Sequence, residues 1–150
     1  MTIIVCDREI MVSDSRVSIA TKGFAYPAIK IIKVNNSLIG CSGDGGDCTR
    51  FLEWGKKGFK EKDVPKWKTT QFTEDEIVGL ILREDGIYIF TEGGPEPEKV
   101  EADFFAIGSG GKSARTAMLM GATPEEAVTL ACEVDNIYSG LPIHMLKLKD

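Results

Sequence analysis

Histidine is almost absent: the 150-residue chain has one, His144. It lies in the alternating run LPIHMLKL, where it reads as a packed or surface strand residue. Hydrolysis through a Ser-His or Cys-His pair has no other base to call on. The four cysteines, Cys6, Cys41, Cys48 and Cys132, contain no Cys-x-x-Cys and sit mostly among apolar neighbours. They read as buried thiols of a reducing compartment, so a cytoplasmic protein without a zinc or disulfide framework is expected. Positive charge is the minority, with 18 Lys and Arg against 23 Asp and Glu and a net charge of −5. That balance excludes a nucleic-acid partner, whose phosphates need a basic face. No apolar run approaches the roughly 20 residues of a membrane span. No basic segment precedes the first apolar stretch, so neither a signal peptide nor a membrane partner is expected.

What is present is enough apolar residue, 43% of the chain, for one domain over residues 1–150 with a real core. Residues 2–6 and 9–14 read as strands of a hairpin turning at Asp7-Arg8. Residues 29–34 and 37–42 form a second hairpin turning at Asn35-Asn36. The stretch GDGGD leads into a helix capped by Asp47, with Cys48, Phe51, Leu52 and Phe59 on its apolar side. Residues 60–76 are a polar, lysine-rich surface connection. IVGLILREDGIYIF reads as a type I′ hairpin around Asp85-Gly86. GGPEPEKVE is a turn-rich loop, and ADFFAIGS is another buried strand.

Two helices follow. The first places Ala114, Ala117, Met118 and Gly121 on one face. The second opens with Thr123-Pro124-Glu125-Glu126, a capping box with proline at its first position. Its apolar stripe is Ala127, Leu130, Ala131 and Val134. A last strand covers 141–148. Strands buried on both faces need cover on both sides, which predicts an α+β fold of packed sheets between helices.

Strand–AIGSGGKS–helix is close to a phosphate-binding loop, G-x-x-x-x-G-K-[ST]. Ala106 stands where the first glycine belongs, and no later apolar run ends in an aspartate for magnesium. The glycines read instead as the geometry of a tight strand-to-helix turn.

The N-terminus offers a different chemistry. Methionine is commonly removed before a small residue, and loss of Met1 leaves Thr2 with a hydroxyl and a free α-amine. That amine has an ordinary pKa of about 8 and can act as general base for its own hydroxyl. Pairing about Asp7-Arg8 sets Thr2 beside Ser13 and Asp14. TIIV, SDSR, KIIKV, CSGDGGD, AIGSGGKSA and VDNIYSG, in that order, resemble the successive motifs of proteasome β-type and HslV-like subunits. These are N-terminal-nucleophile (Ntn) hydrolases, and the resemblance runs over nearly the whole chain. It implies a four-layer α-β-β-α sandwich of two antiparallel sheets between helical layers.

Residue by residue, the resemblance makes Thr2 the nucleophile, Asp14 its acidic support and Lys30 the lysine that keeps the amine neutral. Gly43 supplies the oxyanion-binding N–H. Ser109, Asp135 and Ser139 bond the terminal amine and its water, and Cys41 and Gly45 line the pocket for the residue before the cut bond. No cofactor is implied. The expected activity is a threonine-type endopeptidase acting on peptides or unfolded proteins. The expected assembly is a homo-oligomeric ring, six- or seven-fold and possibly double, served by an ATP-dependent unfoldase. The other expectation is a catalytically silent scaffold subunit that keeps Met1. Four features depart from the family pattern. The first hairpin is shorter, Ile3 stands where a second threonine is common, Asp135 is one residue farther from Ser139 than in the archaeal and eukaryotic pattern, and the segment after the first long helix is reduced to a loop.

Overall fold

The computed structural model describes residues 2–19, 23–68, 76–92, 94, 96–135 and 139–150. Met1, part of the expected surface connection (69–75) and three residues of the DNIYSG motif (136–138) lie outside the described residues. The protein is a mixed fold of antiparallel sheets and three helices among the described residues. One sheet has four strands: β1 (Ile4–Cys6), β2 (Ile10–Ser13), β10 (Phe105–Ile107) and β11 (His144–Lys147), in the order β10-β1-β2-β11. A second has five: β5 (Ile31–Val34), β6 (Ser37–Ser42), β7 (Val78–Arg83), β8 (Gly86–Thr91) and β9 (Glu98–Val100), paired in sequence order. A two-stranded ribbon, β3 (Arg16–Ile19) with β4 (Phe24–Pro27), connects them along the chain.

Alternation along the strands divides the apolar side chains between three clusters. Ile4, Cys6 and Met11 from the first sheet pack with Ile31, Leu38, Leu80, Leu82 and Ile87 from the second. Ile3, Val5 and Val12 point the other way and pack under α2 (Gly111–Leu119) and α3 (Pro124–Val134). Ile39, Ile81 and Phe90 lie on the opposite side of the second sheet, beneath Phe51 and Trp54 of α1 (Gly45–Lys56). Gly79 makes that last contact possible, because a Cβ there would lie 2.2 Å from the Phe51 ring.

Several local expectations are corrected. The first hairpin pairs Ile4 with Ser13 and Cys6 with Met11, so its turn centres on Arg8-Glu9 rather than Asp7-Arg8. The Asp7 side chain decides this, since its Oδ1 accepts the N–H groups of Glu9 and Ile10. Asp14 therefore stands opposite Ile3 and not Thr2. The third hairpin pairs Arg83 with Gly86, which makes Glu84-Asp85 its loop. The left-handed backbone at non-glycine positions is confined to Asn35 and Phe59 among the described residues, so that loop is not type I′.

The cap of α1 is Asp44, whose carboxylate accepts the Asp47 N–H, and the helix starts at Gly45. Asp47 is instead fully buried, bonded to Arg50 and to the Lys68 N–H. The connection after α1 is not purely a surface loop, for Trp67 packs edge-on to Trp54 and against Phe90. Residues 98–100, expected in a loop, form the edge strand β9. Gly121 lies beyond α2 and is exposed. In α3 the capping box is present, but Ala127, Val128, Ala131 and Cys132 form the buried side, while Leu130 and Val134 face solvent.

Candidate active site

The first residue of the described chain is held through the peptide that follows it. The Thr2–Ile3 peptide is anchored at both ends. Its N–H, on Ile3, donates to Asp14 Oδ1 at 3.0 Å, and its carbonyl, on Thr2, accepts from the Gly110 N–H at 3.4 Å. The Ser109 hydroxyl also points at that carbonyl, 3.5 Å away. Gly108 has φ of +95°, and a Cβ there would fall 1.9 Å from the Thr2 carbonyl oxygen. The glycine-rich turn that resembles a phosphate loop thus takes a backbone carbonyl from its own chain.

Asp14 is fully buried and gathers more donors than any other carboxylate discussed. Besides Ile3, the N–H groups of Arg16 and Gly140 donate to Oδ2, each at 3.2 Å. Lys30 approaches from the opposite sheet with its ammonium 2.9 and 3.0 Å from the two oxygens, and it also donates to the Arg16 carbonyl. Burial pulls the Lys30 amine below its ordinary value, and the Asp14 charge opposes that shift. Lys33, three residues on, is exposed and reaches only toward Asp150 at 3.8 Å. Of the two lysines of KIIKV, Lys30 just before β5 is thus buried and Lys33 within it is exposed.

A second polar cluster closes the other side of Thr2. Asp135 Oδ2 accepts from the hydroxyls of Ser109 and Ser139, each at 3.0 Å. Backbone bonds hold this cluster, with the Ser139 N–H donating to the Asp135 carbonyl and the Ser15 N–H to the Gly140 carbonyl. A cavity of about 590 Å³ opens beside Thr2, and Lys30, Cys41, Gly43 and Gly45 line it. Gly43 adopts φ of +121° just ahead of the α1 cap.

The eight other residues singled out in the sequence therefore fall around Thr2. Two sets meet it through bonds (Asp14 with Lys30, Ser109 with Asp135 and Ser139), and the rest share its cavity. Sequence reasoning missed Gly108 and Gly110, which were assigned to turn geometry alone. It also missed Cys48, Ala28 and Tyr26 on the cavity wall. Only pairing of β1 with β10, Ile4 opposite Ile107, brings the GSGG turn to the chain start. The described residues contain no group of three or more His, Cys, Asp or Glu able to hold a metal. No helix among them is long and apolar enough to cross a membrane.

The fold is HslV-like and proteasome-like. The eukaryotic HslV of Trypanosoma brucei superposes with a TM-score of 0.63 at 19% identity, over 97% of this chain and 98% of that one. BPH of Thiobacillus denitrificans in complex with epoxomicin superposes at 0.66 with 16% identity, covering 99% of both chains. A second BPH structure gives 0.60 at 18% identity over 99% of this chain and 98% of that one. At such identities the likeness is one of fold, an HslV-like and proteasome-like architecture along the entire chain. No protein-family model matches the sequence, and no curated protein does.

Proposed function

We propose that the chain is a single-domain threonine-type endopeptidase of the proteasome and HslV kind, active once Met1 is removed. The observation that carries the reading is the anchoring of the Thr2–Ile3 peptide between the Asp14–Lys30 pair and the Ser109 turn. That anchoring holds a hydroxyl and its own α-amine rigidly at the mouth of a cavity. In the proposed mechanism the amine takes the Thr2 hydroxyl proton as Oγ1 attacks the peptide carbonyl. Lys30, held by Asp14, supplies positive potential that keeps the amine unprotonated. The Gly43 N–H stabilises the oxyanion. Breakdown releases the amine half of the peptide and leaves an ester on Thr2. Water, polarised by the same α-amine and held near Ser109, Asp135 and Ser139, then hydrolyses that ester.

The packing of α2 and α3 on one sheet and α1 on the other supports the four-layer sandwich reading. The solved relatives of this fold include HslV, which supports a homo-oligomeric ring. Peptides or unfolded chains are the proposed substrates, an ATP-driven unfoldase the proposed partner and the cytoplasm the proposed location.

The test is cleavage of a panel of fluorogenic peptides by protein shown by intact mass to lack Met1. Wild type is expected to cleave, and Thr2→Ala to lose activity by a factor on the order of 10³ or more. Equal cleavage by Thr2→Ala, or none by the Met1-free wild type, overturns the assignment. Protein from its native host that keeps Met1 identifies the silent scaffold subunit instead.

A further inference from the structure

The cavity wall carries two thiols. Cys41, near the end of β6, and Cys48, in the first turn of α1, both line the cavity that Thr2 opens onto and belong to one apolar cluster. Cys41 is buried at 4% exposure, with its Sγ 3.7 Å from the Ser42 carbonyl, whereas Cys48 is half-buried and reachable from the cavity. Burial, and after it a hydrogen bond to the Cys48 thiol, push the Cys41 thiol well above its ordinary range. The two thiols thus share one cavity wall and one apolar cluster, with unequal accessibility. Neither thiol takes part in the bond-making and bond-breaking of the proposed hydrolysis; Cys41 enters it only as part of the pocket wall. The other two cysteines are apart from them: Cys6 lies in the cluster between the sheets, and Cys132 lies on α3.

We propose that Cys41 and Cys48 form a reversible dithiol–disulfide site in the wall of the cavity, oxidised by hydrogen peroxide. Cys48, the accessible sulfur, attacks one peroxide oxygen as its thiolate. The O–O bond breaks, the leaving hydroxide is protonated to water, and Cys48 becomes a sulfenic acid. The Cys41 sulfur then attacks the Cys48 sulfur, the S–O bond breaks, and the departing oxygen takes the Cys41 proton to leave as a second water. Two thiols are oxidised to one disulfide and one peroxide is reduced to two waters. The bridge ties β6 to α1 across the loop that carries Gly43 and Asp44, and it narrows the cavity beside Thr2. A thiol reductant reverses it. Cys132, whose thiol burial pushes up to about 11, has no such neighbour among the described cysteines and remains a thiol.

The site is tested by treating the full chain with hydrogen peroxide, blocking remaining thiols under denaturing conditions, and measuring intact mass and a peptide map. The expected result is loss of two hydrogens, with two of the four cysteines protected from blocking. The map should join Cys41 to Cys48, dithiothreitol should restore four blockable thiols, and Cys48→Ser should abolish the bridge. Cys41→Ser is expected to stop Cys48 at the sulfenic acid, trapped by dimedone. A bridge that survives in Cys48→Ser, a bridge involving Cys6 or Cys132, or oxidation of Cys48 without any bridge in the wild type overturns the proposal. These readouts are independent of cleavage, so they stand or fall apart from the peptidase reading. Where the Met1-free protein cleaves peptide, oxidation is also expected to lower that rate and reductant to restore it.

Discussion

At the scale of single residues, the Asp14–Lys30 pair carries the most consequence. Asp14 has no exposed surface and the Lys30 side chain has 6%, so removing one partner leaves the other's charge or its donors stranded. Asp14→Asn is expected to cost about 3–5 kcal/mol of stability, read from urea unfolding. An unchanged midpoint would show that the pair is not buried as described. Lys30 also sets a pH dependence. Its folded value lies below 10.5, so between that value and 10.5 the unfolded chain holds a proton the folded chain has released. The contribution of Lys30 therefore grows as pH rises through this window and levels off above 10.5. In Asp14→Asn the attraction opposing burial is gone, and the lower edge of the window is expected to move to lower pH in an NMR titration of the Lys30 amine. The identities of Asp14 and Lys30 were legible in SDSR and KIIKV. That Asp14 bonds the Ile3 N–H, and not Thr2 itself, was not. An Asx turn at Asp7 shifted the hairpin register, and such turns are settled by a side chain rather than by the apolar pattern.

At the scale of elements, the turn between β10 and α2 is the part of the candidate site that the apolar pattern did not foretell. Gly108→Ala would drive a methyl into the Thr2 carbonyl and strain a backbone at φ +95°. Gly58→Ala serves as the control, with φ +83° and nothing within 4 Å of the added Cβ. The control is expected to lose on the order of 1 kcal/mol from backbone strain alone. Gly108→Ala is expected to lose clearly more in the same urea titration, and in Met1-free protein to reduce peptide cleavage as well. Equal losses for the two variants would remove the steric argument. Elsewhere, helix starts followed their signals when the signal was local, as with the Thr123 and Glu126 box of α3. The buried side of that helix did not follow the predicted stripe. Small residues at 127, 131 and 132 allow α3 to close on its neighbours, so Val128 and Cys132 turn inward and Leu130 and Val134 are left outside.

At the scale of the whole molecule, the apolar surface bears on assembly. Leu119 and Met120, adjacent at the end of α2, are 69% and 85% exposed, and Val134 at the end of α3 is 75% exposed. Adjacent exposed apolar side chains such as the first two are candidates for contacts between chains. A native mass spectrum is expected to show a closed homo-oligomer at a whole multiple of the 16.4 kDa chain. A strictly monomeric protein at micromolar concentration would exclude the ring. What the sequence by itself determined is local and ordered: a hydroxyl at residue 2, the strands and helices that alternate around it, the acid and lysine of the site, and the order of motifs. Periodicity, capping and spacing act between near neighbours, so one dimension suffices for them. Only the tertiary structure decided which backbone groups hold Thr2, that the GSGG turn closes on the first strand, and that Cys41 and Cys48 share a cavity wall. The bonds from the GSGG turn to Thr2 join residues more than a hundred positions apart, and the facing of Asp14 and of the two cysteines is fixed only once the sheets have packed and set which side of each strand looks inward.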